Sequence, residues 1–218
     1  MRTIIFDLDG TVTDPAAGIT GSINHALVKL GHPEIPLAAL EKYIGPPLES
    51  AFAELLGITD DDVLAEAVAL YRERFMSVGY RENLVYEGMK EILEQISEDG
   101  SALYIATAKR QDIAVQVLQH LGLEKWFSQV HGCDLGRSKA DLLRDILSDD
   151  RPTGMPAVMI GDRVTDFEAA AEVGMPSIGV RWGYGSEEEL TSATEVASVP
   201  DDLPAAIART ARSVNEAV

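Results

Sequence analysis

The sequence predicts an α/β fold, a parallel-sheet core interrupted once by an all-helical insertion. Three observations carry that prediction. The chain opens on a short apolar run, Arg2-Thr3-Ile4-Ile5-Phe6, that ends abruptly in Asp7-Leu8-Asp9-Gly10-Thr11. From about Val85 onward, strand-length apolar runs alternate with segments of helical period, the pattern of a parallel sheet covered by helices. Between Ala17 and Phe75 the strand signal disappears and helical spacing alone remains. The expected division is a core of residues 1–15 and 81–218 and an inserted unit of residues 16–80.

Taken in order, the first strand stops where Gly10-Thr11 turns the chain. Ile19, Ile23, Ala26, Leu27 and Leu30 recur at helical spacing, and Gly31 ends that helix. A second helix fits 48–56, closed by Gly57. A third opens after Thr59, read as its N-cap. Asp60, Asp61 and Asp62 look like a functional acidic cluster, but acids also complement the positive end of a helix, and that reading is preferred. Val63, Ala67, Leu70, Tyr71 and Phe75 form its apolar face. Helices over 88–97, 112–121, 139–147 and 166–173 each precede a strand: 102–106, near Val130, 157–160 and 177–180. Ser186 and Glu189 are spaced as a capping box for a helix from Glu187. A short strand over 195–199 and a helix from Leu203 complete the chain.

Composition narrows the partners. The 218 residues suit one large domain or a core with an inserted module. Asp and Glu number 36 against 18 Lys and Arg, a net charge of −18. Such a surface repels phosphate backbones and anionic bilayers, so neither nucleic acid nor membrane is an expected partner. No apolar run approaches the roughly 18 residues of a membrane span, and Asp7 breaks the first apolar run too early for a signal peptide. The one cysteine, Cys133, forms no internal disulfide and fits a reducing cytoplasm. Its ordinary role is that of a small buried hydrophobe. His25, His32, His120 and His131 lie outside every motif. Nothing in the pattern bears on oligomeric state.

A buried parallel strand delivers the residues after it to the carboxyl edge of its sheet, where open α/β folds bind ligands. Asp7 and Asp9 are therefore expected side by side at that edge. Adjacent carboxylates repel unless a cation or a shared proton intervenes. The pair thus invites a hard metal and offers one carboxylate as a nucleophile. Asp-x-Asp-Gly also occurs in ordinary turns, and on the local pattern both readings stand. A calcium loop is disfavoured, because Thr11-Val12-Thr13-Asp14-Pro15 lacks the further ligands it requires. Downstream, Thr107 ends Tyr104-Ile105-Ala106, and Gly161-Asp162 ends Val158-Met159-Ile160 with Asp166 one helical turn beyond. Lys139 stands at a helix start after Gly136-Arg137-Ser138. Singly, Thr107 reads as a helix cap, Lys139 as a surface lysine and Asp162 as a turn residue. Their order gives them meaning.

That ordered set resembles the haloacid dehalogenase-like hydrolase superfamily over nearly the whole chain. Asp7-Leu8-Asp9-Gly10-Thr11 matches its first motif, Thr107 the second, Lys139 the third, and Gly161-Asp162 with Asp166 the fourth. The insertion lies where the superfamily places a helical cap domain on a Rossmann-like core. Within it the chain is similar to phosphoglycolate phosphatase-like proteins, through Tyr43-Ile44-Gly45-Pro46-Pro47-Leu48, Ala106-Thr107-Ala108-Lys109-Arg110, Gly161-Asp162-Arg163 and Gly183-Tyr184-Gly185-Ser186. The resemblance implies a cytoplasmic, Mg²⁺-dependent phosphatase acting on a small phosphorylated metabolite such as 2-phosphoglycolate. It implies Asp7 as nucleophile, Asp9 as acid and base, Thr107 as hydrogen-bond donor and Lys139 as a fixed positive charge. Mg²⁺ ligation is implied for Asp7, the Asp9 backbone carbonyl and Asp162, with Asp166 nearby or linked through water. A carboxylate at Asp9 implies rapid turnover of the aspartyl-phosphate. Substrate contacts are expected from Gly10, Thr11, Lys42, Gly45, Ala108, Lys109 and Arg110. Lys42, Lys109, Arg110 and Arg163 are candidates for a second anionic group. Closure is expected about hinges at 14–18 and 79–83. The alternatives are a 5′-nucleotidase, a pyrophosphatase, a β-phosphoglucomutase-like isomerase and a non-catalytic regulatory protein.

Overall fold

The computed structural model describes residues 2–133, 136–148 and 156–216, with the side chains of the last helix followed to residue 211. The chain divides into two compact units, Met1–Asp14 with Val85–Val218, and Pro15–Leu84. No helix among the described residues is long and apolar enough to cross a membrane.

The first unit begins with β1 (Thr3–Phe6) and β2 (Thr13–Asp14). The second unit carries α1 (Ala16–Lys29), α2 (Leu37–Leu40), α3 (Leu48–Leu56) and α4 (Asp61–Ser77). After β3 (Leu84–Val85), strands and helices alternate: α5 (Met89–Glu98), β4 (Ala102–Thr107), α6 (Gln111–Leu121), β5 (Phe127–Gly132), α7 (Lys139–Ser148), β6 (Ala157–Gly161) and α8 (Val164–Glu172). Then come β7 (Ser177–Val180), α9 (Glu187–Leu190), β8 (Glu195–Ala197) and α10 (Leu203–Glu216).

The core sheet has the order β5-β4-β1-β6-β7-β8, and all of its pairings are parallel. A strand buried on both faces reads as a continuous apolar run. β1 reads this way: it lies inside the sheet between β4 and β6, and Ile4, Ile5 and Phe6 on its alternating faces are fully buried. Beneath it Ile5 and Met159 pack with Leu142, Leu143 and Ile146 of α7 and Ala169 and Ala170 of α8. Phe6 meets Phe127 edge-on at 6.2 Å. The register sets Phe6 beside Ile105 on one neighbour and Ile160 on the other. Asp7, Thr107 and Asp162 consequently leave the sheet at the same edge.

The helical unit has no strand among its described residues before Leu84. α1 buries Ile19, Ile23, Ala26 and Leu27, and α4 buries Ala67, Val68, Tyr71 and Phe75. Tyr71 stacks on Phe75 at 5.5 Å and takes Phe52 of α3 edge-on at 6.5 Å. Gly57 closes α3 with a positive φ of 65°, as its position after the last apolar residue predicts. Gly18 and Gly79 touch so closely that a Cβ on Gly18 would lie 2.2 Å from the Gly79 carbonyl oxygen.

Four local expectations need correction. The N-cap of α4 is Asp60 and not Thr59: Asp60 Oδ1 accepts from the N–H groups of Asp62 at 3.1 Å and Val63 at 3.2 Å. A carboxylate satisfies the same orphan donors as a hydroxyl and adds charge against the dipole. α8 starts at Val164, ahead of Asp166, because Asp166 reaches back to cap it. Thr107 is the last residue of β4 and caps nothing, since α6 starts after Arg110. β8 ends at Ala197, where Asp202 accepts from the Ser198 and Val199 N–H groups and turns the chain.

Candidate active site

Asp7 extends β1 by one rung, its N–H donating to the Ile160 carbonyl at 2.8 Å. The chain then folds back tightly. Val12 and Thr13 N–H both reach the Leu8 carbonyl at 3.0 Å, and Gly10 adopts a φ of +84°. This turn holds the Asp7 and Asp9 side chains on a rigid support.

Lys139 is delivered by the start of α7, where Ser138 and Asp141 cap each other reciprocally. Ser138 N–H donates to Asp141 Oδ2 at 3.0 Å, and Asp141 N–H donates to Ser138 Oγ at 3.2 Å. From there the Lys139 ammonium reaches Asp7 Oδ1 at 3.2 Å and donates to Asp166 Oδ1 in a very short ion pair. The second oxygen of Asp166 accepts from Arg163 N–H at 3.0 Å. Burial alone would lower the Lys139 pKa; Asp166 and Asp7 outweigh it and push the pKa up, so this lysine stays charged. Burial raises Asp166 to about 6, against the opposing pull of Lys139.

Asp162 comes directly after the buried end of β6 and is only 1% exposed. Burial, reinforced by the negative charge of Asp7, lifts its pKa to about 7. Its Oδ2 accepts from Tyr184 N–H at 2.8 Å, while Oδ1 is buried without a hydrogen-bond partner among the described residues. Backbone packs tightly around it. A Cβ on Gly10 would sit 2.3 Å from Asp162 Oδ2, and one on Gly183 would sit 2.3 Å from Asp162 Cβ. A Cβ on Gly161 would fall 2.2 Å from Asp166 Oδ2. Glycine is thus required by close approach at these positions.

One oxygen from each of Asp7, Asp162 and Asp166 lies within 4.8 Å of the others. When all three are ionised, these buried carboxylates against one ammonium leave two negative charges uncompensated, and among the described residues Asp162 Oδ1 has no donor. Hard oxygen donors in this number suit a divalent cation such as Mg²⁺.

Asp9 carries the second ion pair of the site: its Oδ2 lies 2.6 Å from Lys109 Nζ, and Oδ1 is buried without a hydrogen-bond partner among the described residues. Burial raises the Asp9 pKa, with Lys109 opposing. Thr107 Oγ1 accepts from Lys109 N–H at 3.3 Å, which leaves the threonine proton free to be donated.

The structure thus groups Asp7, Asp162 and Asp166 within 4.8 Å, pairs Lys139 with Asp7 and Asp166, pairs Lys109 with Asp9 on the same turn as Asp7, and places Thr107 at the same edge. Gly10 lies under Asp162. Thr11 is fully buried, and its carbonyl accepts from Trp182 Nε1 at 2.9 Å. Ala108 is exposed, and Arg110 turns to Asp112 at 2.7 Å. Arg163 pairs with Glu189 at 3.1 Å. Lys42 and Gly45 belong to the helical unit, where the Lys42 ammonium binds Glu54 at 2.7 Å. Sequence reasoning gave no role to Tyr184. Besides its N–H on Asp162, its hydroxyl donates to Asp14 in a very short bond. The visible signal was Gly183-Tyr184-Gly185, a flexible pair of glycines after a buried strand.

The chain is similar to known proteins over most of its length. The profile of the haloacid dehalogenase-like hydrolases matches residues 4–180. A 5′-nucleotidase from Pseudomonas aeruginosa is 42% identical over 190 residues, 86% of each chain. The tyrosine-protein kinase PtkA of Mycobacterium tuberculosis is 35% identical over 94% of this chain and 72% of its own. A phosphoglycolate phosphatase from Agrobacterium fabrum is 30% identical over 83% of this chain and 80% of its own. Among solved structures, a haloacid dehalogenase-like hydrolase from Streptococcus pneumoniae superposes with a TM-score of 0.86 at 29% identity, over 94% of this chain and 97% of that one. With its sheet order, its edge-borne carboxylates and these relatives, the chain belongs to the haloacid dehalogenase-like hydrolases.

Proposed function

We propose that this hydrolase is a Mg²⁺-dependent phosphoric monoester hydrolase of small metabolites, with 2-phosphoglycolate as its representative substrate. The observation that carries the reading is Asp7: a carboxylate at the end of a buried strand, 3.2 Å from a buried lysine and grouped with two further carboxylates. Asp7 attacks phosphorus, the bond to the leaving oxygen breaks, and that oxygen takes a proton from Asp9. Asp9, now a carboxylate, then takes a proton from water, whose oxygen attacks the aspartyl-phosphate and releases phosphate with Asp7 restored. Thr107 donates to a phosphoryl oxygen, and Lys139 offsets its charge without having to reorganise. Asp7, Asp162 and the Asp9 carbonyl would hold Mg²⁺, which when bound neutralises the incoming dianion. Both oxygens of Asp166 are occupied by Lys139 and Arg163 N–H, which supports a place for it behind the other two.

The test is hydrolysis of a phosphate-ester panel with and without Mg²⁺. Asp7→Asn should lower turnover by at least about a thousandfold. Asp9→Asn should slow it roughly 10²- to 10⁴-fold, the usual scale of general acid–base assistance. Normal turnover in Asp7→Asn sinks the mechanism. The 42% identity to a 5′-nucleotidase favours a second reading, in which nucleoside 5′-monophosphates are preferred. A higher kcat/KM on those than on 2-phosphoglycolate would select it.

A further inference from the structure

Four cations were candidates for a second anionic group, and the structure treats them differently. Arg110 and Arg163 pair with acids outside the carboxylate cluster, Asp112 and Glu189. Lys42 pairs with Glu54 inside the helical unit. Lys109 instead has its ammonium against a reactive carboxylate, 2.6 Å from Asp9, and is nearly enclosed with 9% of its side chain exposed.

Its placement is built rather than incidental. The loop after β4 is pinned to the end of β5, where Cys133 N–H donates to the carbonyls of Thr107 at 3.0 Å and Lys109 at 3.2 Å. Gly132 lets that loop approach, since a Cβ there would lie 2.3 Å from Gln111 N and 2.6 Å from the Lys109 carbonyl oxygen. Lys109 N–H is tied to Thr107 Oγ1. The ammonium is therefore presented next to Asp9, the group assigned to the leaving oxygen, whereas Lys139 is committed to Asp7 and Asp166.

We propose that Lys109 selects the ester. Held on Asp9 Oδ2 in the free site, its ammonium becomes the counter-charge for an anionic group borne by the leaving alcohol, one or two carbons from the ester oxygen. The inference rests on the phosphatase reading above and deepens it. Any anion that enters beside Asp7, Asp9, Asp162 and Asp166 meets four carboxylates, and buried charge is tolerated only when paired. A leaving group with its own carboxylate recruits Lys109 away from Asp9 and frees the Asp9 oxygen for the leaving oxygen. A neutral leaving group leaves Lys109 on Asp9. The selected class is accordingly phosphate esters of small hydroxy acids, and the leaving nucleosides of 5′-nucleotides carry no such charge.

A matched pair of esters tests this: 2-phosphoglycolate and 2-hydroxyethyl phosphate, alike in size and different in one charge. With Mg²⁺ present, the unmodified enzyme should favour the carboxylate ester by roughly ten- to hundredfold in kcat/KM, the scale of one charge-assisted contact, mostly through KM. Lys109→Met should bring that ratio close to one, and Lys109→Arg should restore most of it. A role confined to holding the fold would lower both esters together and leave the ratio standing. Should Lys109→Met turn over too slowly, calorimetric binding of the two esters to Asp7→Asn and to Asp7→Asn/Lys109→Met reads the same ratio without turnover. A preference that survives Lys109→Met overturns the proposal, as does an unmodified enzyme that hydrolyses both esters equally; in either case the phosphatase reading stands. A folded enzyme that hydrolyses neither ester nor any other phosphate monoester overturns the phosphatase reading itself.

Discussion

Asp162 and Asp166, pushed up to about 7 and about 6 by burial, sit well above the 3.8 of an unperturbed aspartate. The folded, metal-free protein therefore binds their protons more tightly than the unfolded chain does. Their contribution to stability is complete below about pH 4, falls as pH rises, and is lost as pH passes about 6 to 7. A cation must displace the same protons, so Mg²⁺ affinity should fall as pH drops below about 7, by up to roughly tenfold per unit. Calorimetric titration at pH 6, 7 and 8 measures that trend. Thermal melts should show a larger rise on adding Mg²⁺ at pH 8 than at pH 5.5. The four carboxylates and Lys139 were legible through the order of their motifs along the chain and the resemblance that order carries, not one by one. The Lys109–Asp9 pair was not, because it joins two loops 100 residues apart in sequence whose meeting depends on β4 lying beside β1. Tyr184 was hidden for a different reason: it holds Asp162 through its backbone N–H, which almost any residue could offer.

At the scale of the element, the boundaries that the sequence predicts well are those with a chemical stop. α3 runs from Leu48 to Leu56 and ends at Gly57 as expected, and α9 opens on the Ser186–Glu189 capping box. Where two residues can do the same work the boundary slips, as between Thr59 and Asp60 at α4. The four-residue α2 was not foreseen, being too short to show a period. Close glycine contacts make elements vulnerable in a way that propensity does not describe. Gly18→Ala improves local helix propensity in α1 yet drives a methyl group to 2.2 Å from the Gly79 carbonyl. The variant should lose about 1–3 kcal/mol, as overpacked cores do. A lower denaturant midpoint with unchanged slope would register it, and a higher midpoint would refute the contact.

For the whole molecule, the dominant quantity is the net charge of −18. Exposed pairs such as Arg144 with Glu172 and Arg209 with Glu195 neutralise part of it locally and contribute little each. Self-repulsion among the remaining acids is screened by salt. Raising NaCl from 0.05 to 0.5 M should therefore raise the melting temperature, by about 2–5 °C on the usual scale for a chain of this size. A fall would mean that surface ion pairs outweigh repulsion. The fold class and the alternation after Val85 were readable because the inner strands β1, β6 and β7 are buried and announce themselves as apolar runs, whereas the edge strand β5, with Ser128 and Gln129 exposed, gave only a short signal near Val130.

The glycines packed under Asp162 and beside Asp166 bear on how sequence variation in such enzymes is interpreted. A natural variant can keep every acid and every lysine of the site and still fail, if one methyl group appears at Gly10, Gly161 or Gly183. An inventory of reactive residues would pass that variant as intact. For chains built on this plan, the empty space beside a carboxylate is inherited information of the same standing as the carboxylate.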